Sequence, residues 1–353
     1  MKASLVIPSY NACERLYYNL LYLNMQDYPR ADFEVIVVDN GSTDDTHEML
    51  KGIEINYTLN SFSTSKNMGR AFARNYGVKE SNGDIIIFLD SDMIAERSFI
   101  AKHLEAHRYC DIAVCGQSWR RVYTFYYDDF KGYLKRSLSK QLAEKSNCKI
   151  ENLRDKQPLV SEKELMLGVG FDESFHLSKL YGAEKIILDK YGDNLENYCF
   201  PWSLLVTNNC SIEKNMFLKV DGFDSRFTGW GCEDLDFGYR LYKSGYKFVK
   251  QNDINSVHQE HPINFIDRGE ENIFYFTKKY ECIDLLLFYY GYLISVEKSI
   301  ANIIMNEIEA INISNNSDML ELYRRLLVAL RNKNKRINNI DQDWFYEIKN
   351  LKK

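Results

Sequence analysis

Three clusters in this chain have the residue types and spacing for chemistry on a charged substrate. Asp90-Ser91-Asp92 sets two carboxylates one residue apart at the end of an apolar run. Left unpaired they repel, and a hard divalent ion such as Mg2+ or Mn2+, bridged to a diphosphate, resolves the conflict. Gly229-Trp-Gly-Cys-Glu-Asp-Leu-Asp236 packs Glu233, Asp234 and Asp236 behind a Gly-Trp-Gly. An ionised carboxylate there can serve as general base toward an acceptor hydroxyl. Trp230 offers a flat wall to a sugar, and Gly229 and Gly231 permit a sharp turn and close approach. Ser256-Val-His-Gln-Glu-His-Pro262 adds two imidazoles, good ligands for Mn2+ and tolerable ones for Mg2+. Each cluster also has a plainer reading. The Asp pair could be a solvated loop, and His258 and His261 ordinary loop residues. The acids could simply stabilise a helix start, at roughly 0.3–1 kcal/mol each.

These clusters need elements that carry them to one place. Ser4–Pro8, Phe33–Asp39, Ile53–Leu59 and Asp84–Asp90 read as buried strands. Helical stretches run from about Glu14 to Gln26 and from Lys66 to Val78, and a turn at 40 to 44 leads into another. This alternation predicts an α/β fold with a mostly parallel central sheet covered on both faces, in which ligands bind outside the carboxyl ends of the strands. Pro8-Ser9-Tyr10, Asp39-Asn40-Gly41-Ser42 and Asp90-Ser91-Asp92 lie at those ends and should converge on one crevice. Leu235, Gly238, Tyr239 and Tyr242 recur at helical spacing. Glu233 and Asp234 therefore fall in a first helical turn, where the dipole favours the ionised form. The chain divides into a nucleotide-binding half (1–118), an insertion that shapes a second substrate's pocket (119–206), an acceptor and catalytic half (207–263) and a helical tail (264–353).

Composition narrows the classes. A chain of 353 residues with 45% hydrophobic content can bury a sizeable core. Its net charge of −5 argues against a nucleic-acid partner. The eight cysteines show no paired spacing for zinc and read as reduced, buried thiols of a cytoplasmic protein. The N-terminus enters a strand at once, without a signal-peptide layout. The most apolar run, Ile283–Ile294, is shorter than the ~20 residues a spanning helix needs and carries Asp284. It reads first as core. Its other readings are peripheral contact at the inner face of a membrane, or a homo-oligomer joined through the tail.

In order along the chain, SLVIPSYN, VIVVDNGSTDDT, NMGRAFARNYGV and GDIIIFLDSDM closely resemble the nucleotide-sugar half of family 2 glycosyltransferases with the GT-A fold, over residues 4 to 93. The resemblance implies that Pro8, Tyr10 and Asp39 hold a uridine, with Asp39 on the uracil side. It implies that Arg74, Asp90 and Ser91 grip the nucleotide, and that Asp92 ligates a metal beside the diphosphate. Asp39 is equally placed to cap the helix opening at Ser42 to Asp45, and Arg74 to lie on a solvated helix face. Asp221-Gly-Phe-Asp224 with the Trp-Gly-Cys-Glu-Asp stretch resembles the acceptor motif of GT-A galactosyltransferases and N-acetylhexosaminyltransferases, including bacterial chondroitin-polymerase-like enzymes. By that likeness Asp234 is the base, Glu233 contacts the acceptor, and Trp230 and Gly231 line the sugar pocket. His258 closes the metal shell, with His261 as second choice. Cys232 stands where a second Gly is usual, and Asp236 turns away from Asp234 into a structural place.

The resemblance implies a metal-dependent, inverting glycosyltransferase that uses Mn2+ or Mg2+ to move a hexose or N-acetylhexosamine from a UDP-sugar. Retention of configuration is the alternative outcome, and the acceptor is a saccharide, a lipid-linked glycan or a peptide. A sugar-phosphate nucleotidyltransferase would carry a Gly-rich loop with a basic residue after the first strand, which PSYNACER lacks. An inactive nucleotide-sugar or carbohydrate-binding module is opposed by the joint presence of Asp90, Asp92, Asp234 and His258.

Overall fold

Seven consecutive buried residues, Phe33–Asp39, need cover on both faces of their sheet, and they have it. The structure, a computed structural model, describes residues 2–145, 149–168, 182–262, 269–280, 282–293, 298–313 and 317–338. Ile294, residues 263–268 and residues 339–353 of the tail lie outside them.

The elements alternate from the start: Ala3–Ser9 (β1), Cys13–Leu23 (α1), Phe33–Asp39 (β2), Thr46–Gly52 (α2), Thr58–Ser63 (β3), Arg70–Lys79 (α3), Ile85–Leu89 (β4), Met93–Ala95 (β5), Phe99–Ala106 (α4) and Ile112–Val122 (β6). Gly132–Lys145 (α5), Glu162–Met166 (α6) and Gly182–Tyr191 (α7) come before Asn209–Glu213 (β7), Lys214–Lys219 (α8), Glu233–Lys243 (α9) and Lys247–Gln259 (β8). The eight strands form one sheet in the order β3-β2-β1-β4-β7-β6-β8-β5. Neighbours β3-β2, β2-β1, β1-β4 and β6-β8 are parallel, while β7 runs antiparallel to β4 and β6, and β5 antiparallel to β8. This is the expected α/β fold.

The third strand begins later than the apolar run Ile53–Leu59 suggests. Ile53, Ile55 and Leu59 are partly buried against the core, but the first two do so from the segment before the strand. β3 is an edge strand in which four of six residues are polar, so hydropathy does not mark it. β6 runs as far as Val122, with register shifts against β8 between Cys115 and Arg120. Asn209 closes that gap, its Nδ2 sharing two N–H donors among Gln117 O, Ile254 O and Ser256 Oγ.

All of these elements belong to one compact unit, Met1–Glu196 with Pro201–Arg268. The second unit joins Asn197–Phe200 to the helices Gly269–Tyr280 (α10), Ile283–Leu293 (α11), Lys298–Ile313 (α12) and Ser317–Asn338 (α13). Within it Leu285 and Leu286 of the apolar run are buried, and Asn302 binds the 197–200 segment by donating to Asn197 O and accepting from Cys199 N. No described helix is long and apolar enough to cross a membrane.

Candidate active site

The carboxyl ends of β1 and β4 border a cavity of about 780 Å³. Pro8, Tyr10, Asp90, Ser91 and Asp92 line it, together with Thr228, Gly229 and His261 from the later part of the chain. Asp39 is not among the lining residues. It is 3% exposed, and its carboxylate accepts from Ser42 N at 3.1 Å and Ser63 Oγ at 3.4 Å. Its neighbour Asn40 faces the cavity and ties two loops together, donating to Asn67 Oδ1 and Gly69 O and accepting from Met68 N. Three cations also line the wall, Arg15, Lys66 and Arg70. Sequence reasoning missed them, although Arg15 sits in the first turn after PSYN and the other two flank Asn67-Met-Gly69. Arg15 is oriented by donating to Tyr127 Oη at 2.9 Å.

Strand pairing sets Asp92 against the histidines. Met93 on β5 lies opposite His258 on β8, and Gln259 N donates to Asp92 O at 2.8 Å. His261 Nε2 is 3.0 Å from Asp92 Oδ2, and His258 Nε2 is 3.6 Å from the same oxygen. Burial alone would raise the Asp92 carboxyl, but the two imidazoles outweigh it and hold it well below the usual range. Burial would likewise lower His258, yet Asp92 and Glu260 push it up to about 9. Ligand atoms of Asp92, His258 and His261 lie within 4.8 Å of one another, the one such group among the described residues. One carboxylate and two imidazoles are a donor set that fits Mn2+ and, less well, Mg2+. Asp90 is engaged elsewhere, accepting from Arg74 Nη2 at 2.8 Å.

Arg74 is not a solvated cation. It is 1% exposed and donates from Nη2 to Asp90 and from Nη1 to Glu233 Oε1 at 3.0 Å, with its guanidinium over the Phe223 ring. The next residue on α3, Asn75, pairs with the backbone of Phe223 in both directions at 2.8 Å. One helical turn thus joins the carboxyl end of β4 to the Asp221–Asp224 loop and to the start of α9. The Phe88, Phe217, Phe223 and Phe237 rings pack beneath that joint. Gly238 lets α9 approach the turn Pro201–Leu204, since a Cβ there would stand 2.7 Å from Trp202 O.

The turn into α9 is left-handed three times, at Gly229 (φ 72°), Gly231 (φ 108°) and Cys232 (φ 71°). A Gly at the last position would adopt this without strain, which gives the physical sense of the usual second Gly. Trp230, 40% exposed, stands out from the turn. Glu233 is only 6% exposed and faces Arg74, whereas Asp236 is fully buried and accepts from Arg240 Nε at 2.9 Å. Asp234 is part-buried and accepts from Leu235 N at 2.8 Å. Burial, then the charge of Glu233, raise its pKa to about 7, and Arg74 partly offsets them. A carboxylate so placed can exchange a proton at neutral pH.

The glycosyl transferase family 2 model matches residues 4–155, and a galactosyltransferase domain model matches residues 194–262. The chain is 39% identical over 349 residues to the uncharacterized glycosyltransferase YfnE of Bacillus subtilis, covering 98% of this chain and 86% of that protein. It is 30% identical to validoxylamine A glucosyltransferase of Streptomyces hygroscopicus, over 69% of this chain and 51% of that one. It is 26% identical to chondroitin synthase of Escherichia coli, over 76% of this chain but 35% of that one. The chain therefore spans about half or less of the last two relatives. Among solved structures, Staphylococcus aureus TarS in complex with UDP-GlcNAc shares the fold, with a TM-score of 0.54 at 15% identity over 85% of this chain and 74% of that one.

Proposed function

The chain belongs to glycosyl transferase family 2 and is a glycosyltransferase, and from that premise we propose that it moves a hexose or N-acetylhexosamine from a UDP-sugar to an acceptor hydroxyl, with a divalent metal and inversion at the anomeric carbon. The observation that carries this reading is the shared cavity. Asp92 and His261 line it beside Pro8 and Tyr10, and the turn leading to Asp234 enters it through Thr228 and Gly229. Two members of a metal-compatible donor set, Asp92 and His261, lie on this cavity, and the turn that leads to Asp234 borders it, although Asp234 itself is not among the lining residues.

Arg15, Lys66 and Arg70 on the wall favour a polyanionic donor such as a nucleoside diphosphate sugar. Asp92 and His258, with His261 beside them, would hold Mn2+ or Mg2+, which when bound supplies positive charge to the leaving diphosphate. Asp234 takes the proton of the acceptor hydroxyl while that oxygen attacks the anomeric carbon. The bond from that carbon to the diphosphate oxygen breaks, and UDP leaves with the electron pair. Trp230 gives the acceptor sugar an apolar face. The activities for which two relatives are named, glucosyl transfer and chondroitin synthesis, support a hexose-type donor and a saccharide acceptor. A lipid-linked or peptide acceptor would use the same proton transfer.

The test is turnover of UDP-Glc, UDP-Gal, UDP-GlcNAc and UDP-GalNAc with and without Mn2+, read as UDP release. Release that depends on Mn2+ and disappears in Asp92→Ala is expected. Unchanged turnover in Asp92→Ala would overturn the mechanism, and binding without turnover would leave only a nucleotide-sugar-binding module.

A further inference from the structure

We propose that Glu260 is a positioning residue for His258, and that Arg121 holds Glu260 in that place. The proposal rests on the metal reading above. His258 sits on β8 between two strands, beside Arg121 in the parallel ladder with β6 and opposite Met93 of β5. Two residues further on, Glu260 N donates to Val122 O at 2.8 Å, which extends the ladder and fixes the Glu260 backbone. The Glu260 side chain is 4% exposed and accepts from Arg121 Nη1 at 3.1 Å.

The same oxygen, Glu260 Oε1, lies 3.6 Å from His258 Nδ1. The other nitrogen of that ring, Nε2, faces Asp92 Oδ2. The imidazole therefore stands between two carboxylates with one nitrogen toward each. Its Nδ1 is buried and makes no hydrogen bond among the described residues, since 3.6 Å is too long for one. The Glu260 carboxylate is the acidic group that Nδ1 faces, and a modest ring rotation would bring the two into hydrogen-bond range.

The consequence is chemical. A neutral imidazole that carries its proton on Nδ1 presents the Nε2 lone pair, and an acceptor at Nδ1 selects that tautomer and that ring orientation. His261 has the matching arrangement by another route, with its Nδ1 2.8 Å from the backbone carbonyl of Pro262 and its Nε2 on Asp92. Glu260 itself is a buried charge, which is sustained by its pairing with Arg121. Arg121, Glu260 and His258 thus form a relay from β6 to the Asp92 site.

Mn2+ binding to the purified full chain without nucleotide, followed by electron paramagnetic resonance, tests this independently of turnover. Glu260→Gln should weaken Mn2+ roughly 10- to 100-fold, with Arg121→Met shifted in the same direction and Glu260→Asp lying between Gln and wild type. Melting temperatures of the metal-free variants should not follow that order, which separates positioning from a general structural role. Wild-type affinity in Glu260→Gln overturns the proposal. If Glu260→Gln does not fold, wild-type affinity in Arg121→Met overturns it instead. Failure of the wild type to bind Mn2+ at all overturns the metal reading, an outcome distinct from the first.

Discussion

Arg74 and Glu233 stand 159 positions apart in the chain, yet Arg74 Nη1 donates to Glu233 Oε1 at 3.0 Å with both side chains buried. The guanidinium neutralises one carboxylate at each end of the site, Asp90 and Glu233, and it moderates the repulsion between Glu233 and Asp234.

Removing the cation should therefore cost more than a surface pair would. Arg74→Met leaves Glu233 buried and uncompensated, a loss of about 3–5 kcal/mol. Urea unfolding at pH 8 measures it. The double variant Arg74→Met with Glu233→Met should recover about 0.5–3 kcal/mol relative to additivity. Strict additivity would mean that the two side chains do not interact.

The proton-accepting role of Asp234 has a pH signature. Only the ionised form can accept a proton, so kcat/KM should rise with pH through about 7 and then level. Glu233→Gln removes the repulsion that helps raise the Asp234 pKa, and the rising limb should move to lower pH. Asp234→Asn should lower kcat roughly 10²- to 10⁴-fold with donor binding retained. A flat profile from pH 5 to 9 would count against Asp234 as the base.

A second pH effect belongs to stability. His103 of α4 and His107 just after it both reach Ser211 Oγ, at 2.8 and 2.9 Å, and burial, first among the causes, pushes their pKa values down to about 3 and about 4. The unfolded chain takes up these protons near pH 6.5, well before the folded one. The stability they contribute is thus full above pH 6.5 and lost as pH falls toward 4, at up to about 1.4 kcal/mol per pH unit for His103. The drop in melting temperature between pH 7 and pH 5 should be smaller in His103→Gln than in wild type.

The left-handed Cys232 makes opposite predictions for two substitutions. Cys232→Gly gains back the roughly 1 kcal/mol of αL strain and loses a similar amount of thiol burial, leaving stability within about 1 kcal/mol of wild type. Cys232→Val puts a β-branched side chain at a positive φ and should cost more than about 2 kcal/mol. Chemical denaturation of the two variants compares them directly.

Much of this protein could be read along its length. Buried β-branched runs announce β1, β2 and β4 because a sheet covered on both faces needs continuous apolar strands, and polar residues ending those runs mark the crevice. The acidic start of α9 follows from helical spacing alone. Its family was legible too, in the ordered motifs between residues 4 and 93. An edge strand such as β3, mostly polar, gives no such signal.

Tertiary structure decided which charge meets which. Local pattern puts Glu233 and Asp234 side by side as equals. Only the contact between Arg74 of α3 and the start of α9 holds Glu233 inward, while Asp234 carries the raised pKa. It is likewise the β5–β8 pairing that sets Asp92 beside His258, and the loop at 64–69 that brings Asn40 to the cavity wall while Asp39 stays buried. Sequence periodicity fixes the face on which a side chain lies. Its partner depends on contacts between segments far apart in the chain, and a charge in a buried site takes its pKa from those contacts.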